Sequence, residues 1–273
     1  MSEPTLEVRN IRFSMARVPR FWHGGRRAVT AYFDNLSVFF PAGERFFVQS
    51  VRAHEHLAKS ESLRREVKAF CGQEGVHSRE HVRYNDHLRE QGYPVEAMEI
   101  RVKRLLKVAR TVLSPRAQLG VTCALEHFTA LMAHMILEDP KLLEGADETM
   151  AALWRWHAAE ENEHRAVAFD LFRDAGGTYG ERAATMAIAT VIFWAKVVEH
   201  QARMMAHDGT ATSPREWASV VKFLFVEPGG MGGLIKPYLE YYRPGFHPHD
   251  IECTKLVERW VELYRTSELY RAA

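Results

Sequence analysis

An all-α fold is what the sequence predicts, a four-helix bundle with a crossover helix and extra helices toward the C-terminus. Three observations predict it. Stretches such as WRWHAAEENEHRAVAFD, residues 154–170, are rich in Ala, Glu and Arg and contain no Gly or Pro. A lone Glu followed by a Glu-x-x-His occurs twice along the chain, as Glu44 with Glu74 and His77, then Glu126 with Glu161 and His164. The midpoints of the two intervals, Lys59 in AKSES and Leu143 with Glu144 in EDPKLLEGADE, carry the turn and breaker residues of their segments.

The spacing connects these observations to chemistry. Residues three apart on a helix share a face, so the Glu and His of each Glu-x-x-His can grip one metal ion together. Glu44 precedes Glu74 by 30 residues and Glu126 precedes Glu161 by 35. Half of either interval is about 15 residues, or roughly 22 Å of helix, so each pair can sit at one depth on an antiparallel hairpin. Two helices giving one Glu and two giving Glu-x-x-His is the di-metal carboxylate pattern of ferritin-like bundles.

Composition agrees. The 273 residues are 47% hydrophobic and 26% charged, enough for a core and unlike a disordered chain. We expect a single ferritin-like unit over residues 1–273: an arm at 1–40, the metal-binding bundle at 41–175 and a helical extension at 176–273. A net charge of +1 gives no reason to expect nucleic acid as a partner. Cys71, Cys123 and Cys253 form no Cys-x-x-Cys, which removes zinc ribbons and disulfide frameworks. The first residues, MSEPTLEVRN, lack an apolar signal region, so a cytoplasmic location is expected.

Taken in order, residues 1–40 read as an extended arm that turns at Gly24 and Gly25 and packs across the bundle. Pro41 and Gly43 then start the first long helix, with Glu44 in its opening turn. The second helix spans about 62–91 and ends at Gly92-Tyr93-Pro94. It carries Glu74, His77 and, one turn on, His81. An amphipathic crossover helix at about 94–113 precedes the third bundle helix, about 115–137. The latter is apolar on most faces, so Glu126 inside it is costly unless paired or metal-bound. Cys71 and Cys123, each one turn before a glutamate, read as small core residues or as lining of the metal cavity.

In the fourth helix His157 precedes Glu161 by four residues, mirroring His81 after His77. Both extra histidines are candidate proton-moving groups, and either could instead be a further ligand or a group supporting one. Glu160 and Asp170 are candidates for orienting a histidine across the bundle. A fifth helix begins after Gly176 and Gly177. Its apolar run, 183–195, falls short of the 18 or so residues a bilayer requires, so it reads as a core helix or a homodimer contact, with no transmembrane segment. The segment at 220–250 reads as a Pro/Gly connector, or a loop capping a channel or resting on a membrane surface. An amphipathic helix over 251–271 closes the chain.

FPAGERFF, QEGVHSREH, LEHFTA, WRWHAAEENEHRAVAFD and YYRPGFHPHD together resemble the bacterial predicted metal-dependent hydrolases, from about Arg12 to Asp250. That resemblance implies metal and hydrolysis. The Glu and Glu-x-x-His arrangement resembles the ferritin-like di-iron proteins, which carries Glu44, Glu74, His77, Glu126, Glu161 and His164 over as ligands. His81 and His157 are additional to that set. Four carboxylates and two imidazoles suit two ions of iron or manganese. The leading expectation is an oxygenase that uses O2 and an electron donor on a hydrophobic small molecule. The alternatives are a hydrolase in which two ions hold a bridging hydroxide, and a metal storage or sensing protein.

Overall fold

The computed structural model describes residues 6–267 and Tyr270. The chain is all-α, as expected, and an isolated antiparallel bridge pairs His23 with Ala146. The bundle is built from α1 (Arg27–His54), α2 (Glu61–Glu90), α4 (Pro115–Glu138) and α5 (Glu148–His164), with α3 (Val95–Val112) as the crossover. Helix α1 packs along α2, and α4 along α5. The two hairpins meet where α1 faces α4 and α2 faces α5. Lys59 and the 143–144 pair both fall in the hairpin connections, where the midpoints put them.

Helix α1 corrects the expected start. It begins at Arg27, so the arm ends there rather than at residue 40, and Glu44 lies well inside the helix. Pro41 is an internal residue of α1. A proline deprives the carbonyl four residues back of its helical donor. Here that carbonyl is Ser37 O, and the Asn85 side chain on α2 donates to it at 3.3 Å. A buried amide thus replaces the missing N–H. The turn at Gly24 and Gly25 does occur, at φ +61° and +75°, just before the helix.

A second correction concerns residues 154–170. Helix α5 stops at His164, and α6 (Val167–Asp174) restarts after two turn residues. No Gly or Pro marks the break. Its cause is tertiary: the Arg165 guanidinium bonds Asn162 O at 2.9 Å, taking a carbonyl the helix would use. It also reaches Pro248 O at 3.1 Å and Ile251 O at 3.0 Å, tying the break to the C-terminal segment.

Helix α7 (Tyr179–His207) lies over α1 and α4. Its apolar stretch is longer than the expected residues 183–195. Both α4 and α7 are long and apolar enough to cross a membrane by length and composition alone; the apolar window of α4 is 83% buried, that of α7 only 28%. The expected connector contains the end of α8 (Pro214–Phe225) and all of α9 (Ile235–Glu240). Helix α10 (Thr254–Thr266) forms most of the closing helix, and residues 268, 269 and 271 of that expectation lie outside the described residues.

Candidate metal centre

Each bundle helix delivers its expected side chains to one place. Glu44 comes from α1, Glu74 and His77 from α2, Glu126 from α4, Glu161 and His164 from α5, and none is more than 3% exposed. His164 Nε2 lies 3.2 Å from Glu74 Oε1, 3.3 Å from Glu126 Oε2 and 3.6 Å from Glu161 Oε2. His77 Nδ1 lies 3.7 Å from Glu161 Oε1 and 3.9 Å from Glu74 Oε1. Glu44 joins Glu74 and His77 in a group whose donor atoms lie within 4.8 Å of one another. Glu74 and Glu161 are thus shared between two clusters, one toward Glu126 and His164, the other toward Glu44 and His77.

These donors fit a cation because they have nothing else. Both oxygens of Glu44, Glu74 and Glu126, Oε2 of Glu161, Nδ1 of His77 and Nε2 of His164 are buried without a hydrogen-bond partner among the described residues. Buried polar atoms are rarely left this way, because each costs about 1–3 kcal/mol, and more if charged. Unpartnered acceptors converging from four helices are what a multivalent cation satisfies.

An outer layer turns each histidine toward the centre. His77 donates Nε2–H to Glu160 Oε2 at 2.9 Å, which leaves Nδ1 bare and facing the carboxylates. The Gln73 amide donates to Glu7 O at 3.0 Å and Glu163 Oε2 at 2.9 Å, so its oxygen faces His164. That oxygen accepts His164 Nδ1–H at 3.1 Å and turns Nε2 toward the carboxylates. One residue of the N-terminal arm closes both chains. Arg9 donates to Glu160 at 3.1 Å and to Glu163 at 2.8 and 2.7 Å. Trp260 and Tyr264 of α10 cover its outer face, with centroids 5.1 and 5.7 Å away.

His81 and His157 form a third chain. Asn85 is oriented by donating to Ser37 O and Glu99, so its oxygen accepts the Ser37 hydroxyl at 2.9 Å. Ser37 Oγ then accepts from His81 Nδ1, also at 2.9 Å. Burial, and next the neighbouring His157, hold His81 well below the usual histidine range, so it is neutral and carries that one proton. His81 Nε2 must therefore accept from His157 Nδ1, 2.6 Å away. His157 Nε2 lies 2.9 Å from Glu161 Oε1, and an ionised carboxylate only accepts, so in the metal-free chain Nε2 donates to Glu161. His81 spends both ring nitrogens behind His157, whereas His157 presents one to the centre.

The metal-free electrostatics are strained. Burial, then repulsion from Glu161 and Glu126, pushes Glu44 well above the ordinary carboxylate range. Burial and Glu126 do the same to Glu74, and burial takes Glu126 to about 7. Burial alone would lower His164, but the Glu126 and Glu161 carboxylates override it and hold a proton on the ring. A carboxyl or imidazole whose folded pKa is raised contributes stability at low pH that is lost as pH rises through that pKa. His77 and His81 are lowered, by burial first, as are His23, His127 and His200, and these work the opposite way until the unfolded histidine has lost its proton, about one unit above its value of about 6.5. Above about pH 7.5 the losses dominate. Metal-free protein should therefore lose stability between about pH 7.5 and 8.5, by up to ~1.4 kcal/mol per pH unit for each proton held. Metal-loaded protein should not, because the ions replace those protons. Urea unfolding at the two pH values checks it; equal metal-free stabilities would contradict it.

Other sequence candidates lie elsewhere. Cys71 and Cys123 are core residues, and the Cys123 thiol donates to Ala168 O at 3.1 Å. Glu160 orients a histidine as expected, but Asp170 bonds His247 at 3.0 Å, away from the centre. Arg9, Gln73, Glu163, Ser37 and Asn85 were not foreseen. Glu163 and Gln73 each sit next to a candidate ligand in sequence, the one signal that could have raised them; a single arginine in an extended arm gives none.

Compared with known proteins, residues 7–252 match the model of the family described as predicted metal-dependent hydrolase. No curated protein and no solved structure matches.

Proposed function

The chain belongs to the predicted metal-dependent hydrolases, and from that membership we propose that it hydrolyses a carboxylic ester or amide at a pair of divalent ions held in the bundle. The oxygenase expected from the ligand pattern is corrected by the same family match, and O2 and an electron donor leave the account with it. The observation that carries the proposal is the set of buried donors from four helices that lack a hydrogen-bond partner among the described residues.

In this reading Glu44, Glu74, His77, Glu126, Glu161 and His164 would hold the ions, with Glu74 and Glu161 within reach of both the Glu126–His164 and the Glu44–His77 clusters. The carboxylate-rich donor set favours iron(II) or manganese(II). Bound there, the ions supply Lewis acidity and activation of water. The chain's own residues do the rest. Glu160 and Gln73 fix the two histidine ligands in their tautomers. With Glu161 drawn to the ions, His157 Nε2, which that carboxylate engages in the metal-free chain, would be released to take a proton from water, its Nδ1 proton being committed to His81. His81 acts through His157 and is a positioning residue, since neither of its nitrogens is free.

Hydrolysis of p-nitrophenyl esters by the metal-loaded protein under anaerobic conditions tests the activity. Turnover should require the metal and stop on chelation. His157→Gln should keep its metal and lose about 100-fold in kcat, the usual size of a general-base contribution. Loss of metal in that variant would make His157 a ligand instead. Full metal occupancy with no hydrolysis of any ester or amide would leave a storage or sensing protein.

A further inference from the structure

An elongated groove of about 160 Å³ runs between α1, α3, α4 and α7, and nearly all of its lining is hydrocarbon. Its position relative to the metal centre is specific. On α1 it is lined by Phe40, Gly43 and Phe47, which bracket Glu44; on α4 by Leu125 and Phe128, which bracket Glu126. Phe40 of that lining also packs on His157 and His81, with ring centroids 4.4 and 4.5 Å away. The opposite side of the centre is closed by Glu160, Glu163 and the buried Arg9.

The α7 wall of the groove is apolar except for Lys196. Ile188 and Ile192 line it and are 59% and 39% exposed, and Val191 beside them is 71% exposed. Isolated exposed apolar residues need no explanation, but a cluster at the mouth of an apolar groove marks a binding surface. A cavity of this size lined by such residues resembles those that stay dry and take up small hydrocarbons.

We propose that this groove holds the aliphatic tail of an acyl substrate, with the carbonyl at the Glu44 and Glu126 end and the tail directed toward the mouth between α3 and α7. The proposal rests on the hydrolytic reading and adds the substrate class. Water oxygen adds to the acyl carbon, the acyl C–O bond breaks, one proton goes to the departing alcohol oxygen, and the other is released as the acid ionises. Gly43 is the position where the chain keeps room for the tail. A Cβ there would meet only the Phe47 ring, at 3.8 Å, so a longer side chain grows into the groove. Leucine also suits a helix interior better than glycine, so the fold should tolerate it.

Two readouts test this on metal-loaded full-length protein. In the first, fluorescence of 11-(dansylamino)undecanoic acid reports tail binding. Wild type should bind it, and Gly43→Leu and the mouth variant Ile188→Glu should each bind at least tenfold more weakly. In the second, kcat/KM for p-nitrophenyl esters should rise at least tenfold from acetate to octanoate, and Gly43→Leu should flatten that rise. Metal content of Gly43→Leu is measured alongside, and Ile188→Glu stands in if that variant loses metal. Hydrolysis with a flat chain-length profile, or probe binding unchanged in both variants, would overturn the groove assignment. Tail binding that depends on Gly43 and Ile188 in a protein that cleaves no ester would uphold the groove and sink the hydrolytic reading instead.

Discussion

Replacing Arg9 by methionine is expected to cost about 3–5 kcal/mol of stability, the usual penalty for leaving buried charges without their partner. Its side chain is 3% exposed and is the cation that meets both Glu160 and Glu163. Burial already raises the Glu160 carboxyl to about 7 against the pull of Arg9, so without the guanidinium its ionised form has little to hold it. The metal should feel the same change. His77 is oriented by Glu160, and His164 by Gln73, whose amide is in turn set by Glu163. Loss of such supporting bonds typically weakens metal affinity about 10- to 100-fold. Arg9→Lys should fall between wild type and Arg9→Met, because a point charge cannot reproduce a fork that meets two carboxylates. Urea unfolding and metal titration of the variants check this. A destabilised Arg9→Met with wild-type metal affinity would reduce Arg9 to a packing role.

Glu126→Ala is expected to weaken metal binding at least ~100-fold at the position it shares with His164 while the protein remains helical, since a direct ligand matters more than the supporting bonds. Both Glu126 oxygens are buried and have no hydrogen-bond partner among the described residues, on a largely apolar helix. Removing the side chain deletes a carboxyl that burial and Glu161 disfavour in ionised form. The variant therefore separates two roles that stability alone would confuse. Its metal-free form should unfold no more easily than wild type at pH 8, yet added metal should stabilise it far less. Far-ultraviolet circular dichroism and metal-induced shifts in Tm measure both. A variant stabilised by metal as strongly as wild type would remove Glu126 from the centre.

What the sequence revealed and what it hid follow from the range of each interaction. The hairpin registers were legible because helix rise is constant, so equal depth on two rods becomes equal distance from a breaker segment in sequence. Glu126 was legible because a charge in an apolar run has few explanations. Pro41 misled because its local preference is to begin a helix, whereas here Asn85, far along the chain, supplies the donor that lets α1 continue. The break after His164 was hidden for the same reason: Arg165 is drawn out of helical use by carbonyls near residue 250. Arg9 sits 151 residues from Glu160 and belongs to no periodic pattern. The chemistry class lay furthest from reach, because one donor set suits both oxidation and hydrolysis, and it was the family match that turned the reading to hydrolysis.

The centre itself is tested most directly by counting ions. Protein purified without chelator and analysed by inductively coupled plasma mass spectrometry should carry two equivalents of a divalent transition metal per chain. X-ray absorption should give a first sphere of oxygens with about one nitrogen-donor ring per ion, as one His164 and one His77 require. Metal-free protein that takes up no more than trace metal on reconstitution, and gains no stability from it, would contradict the account at its root.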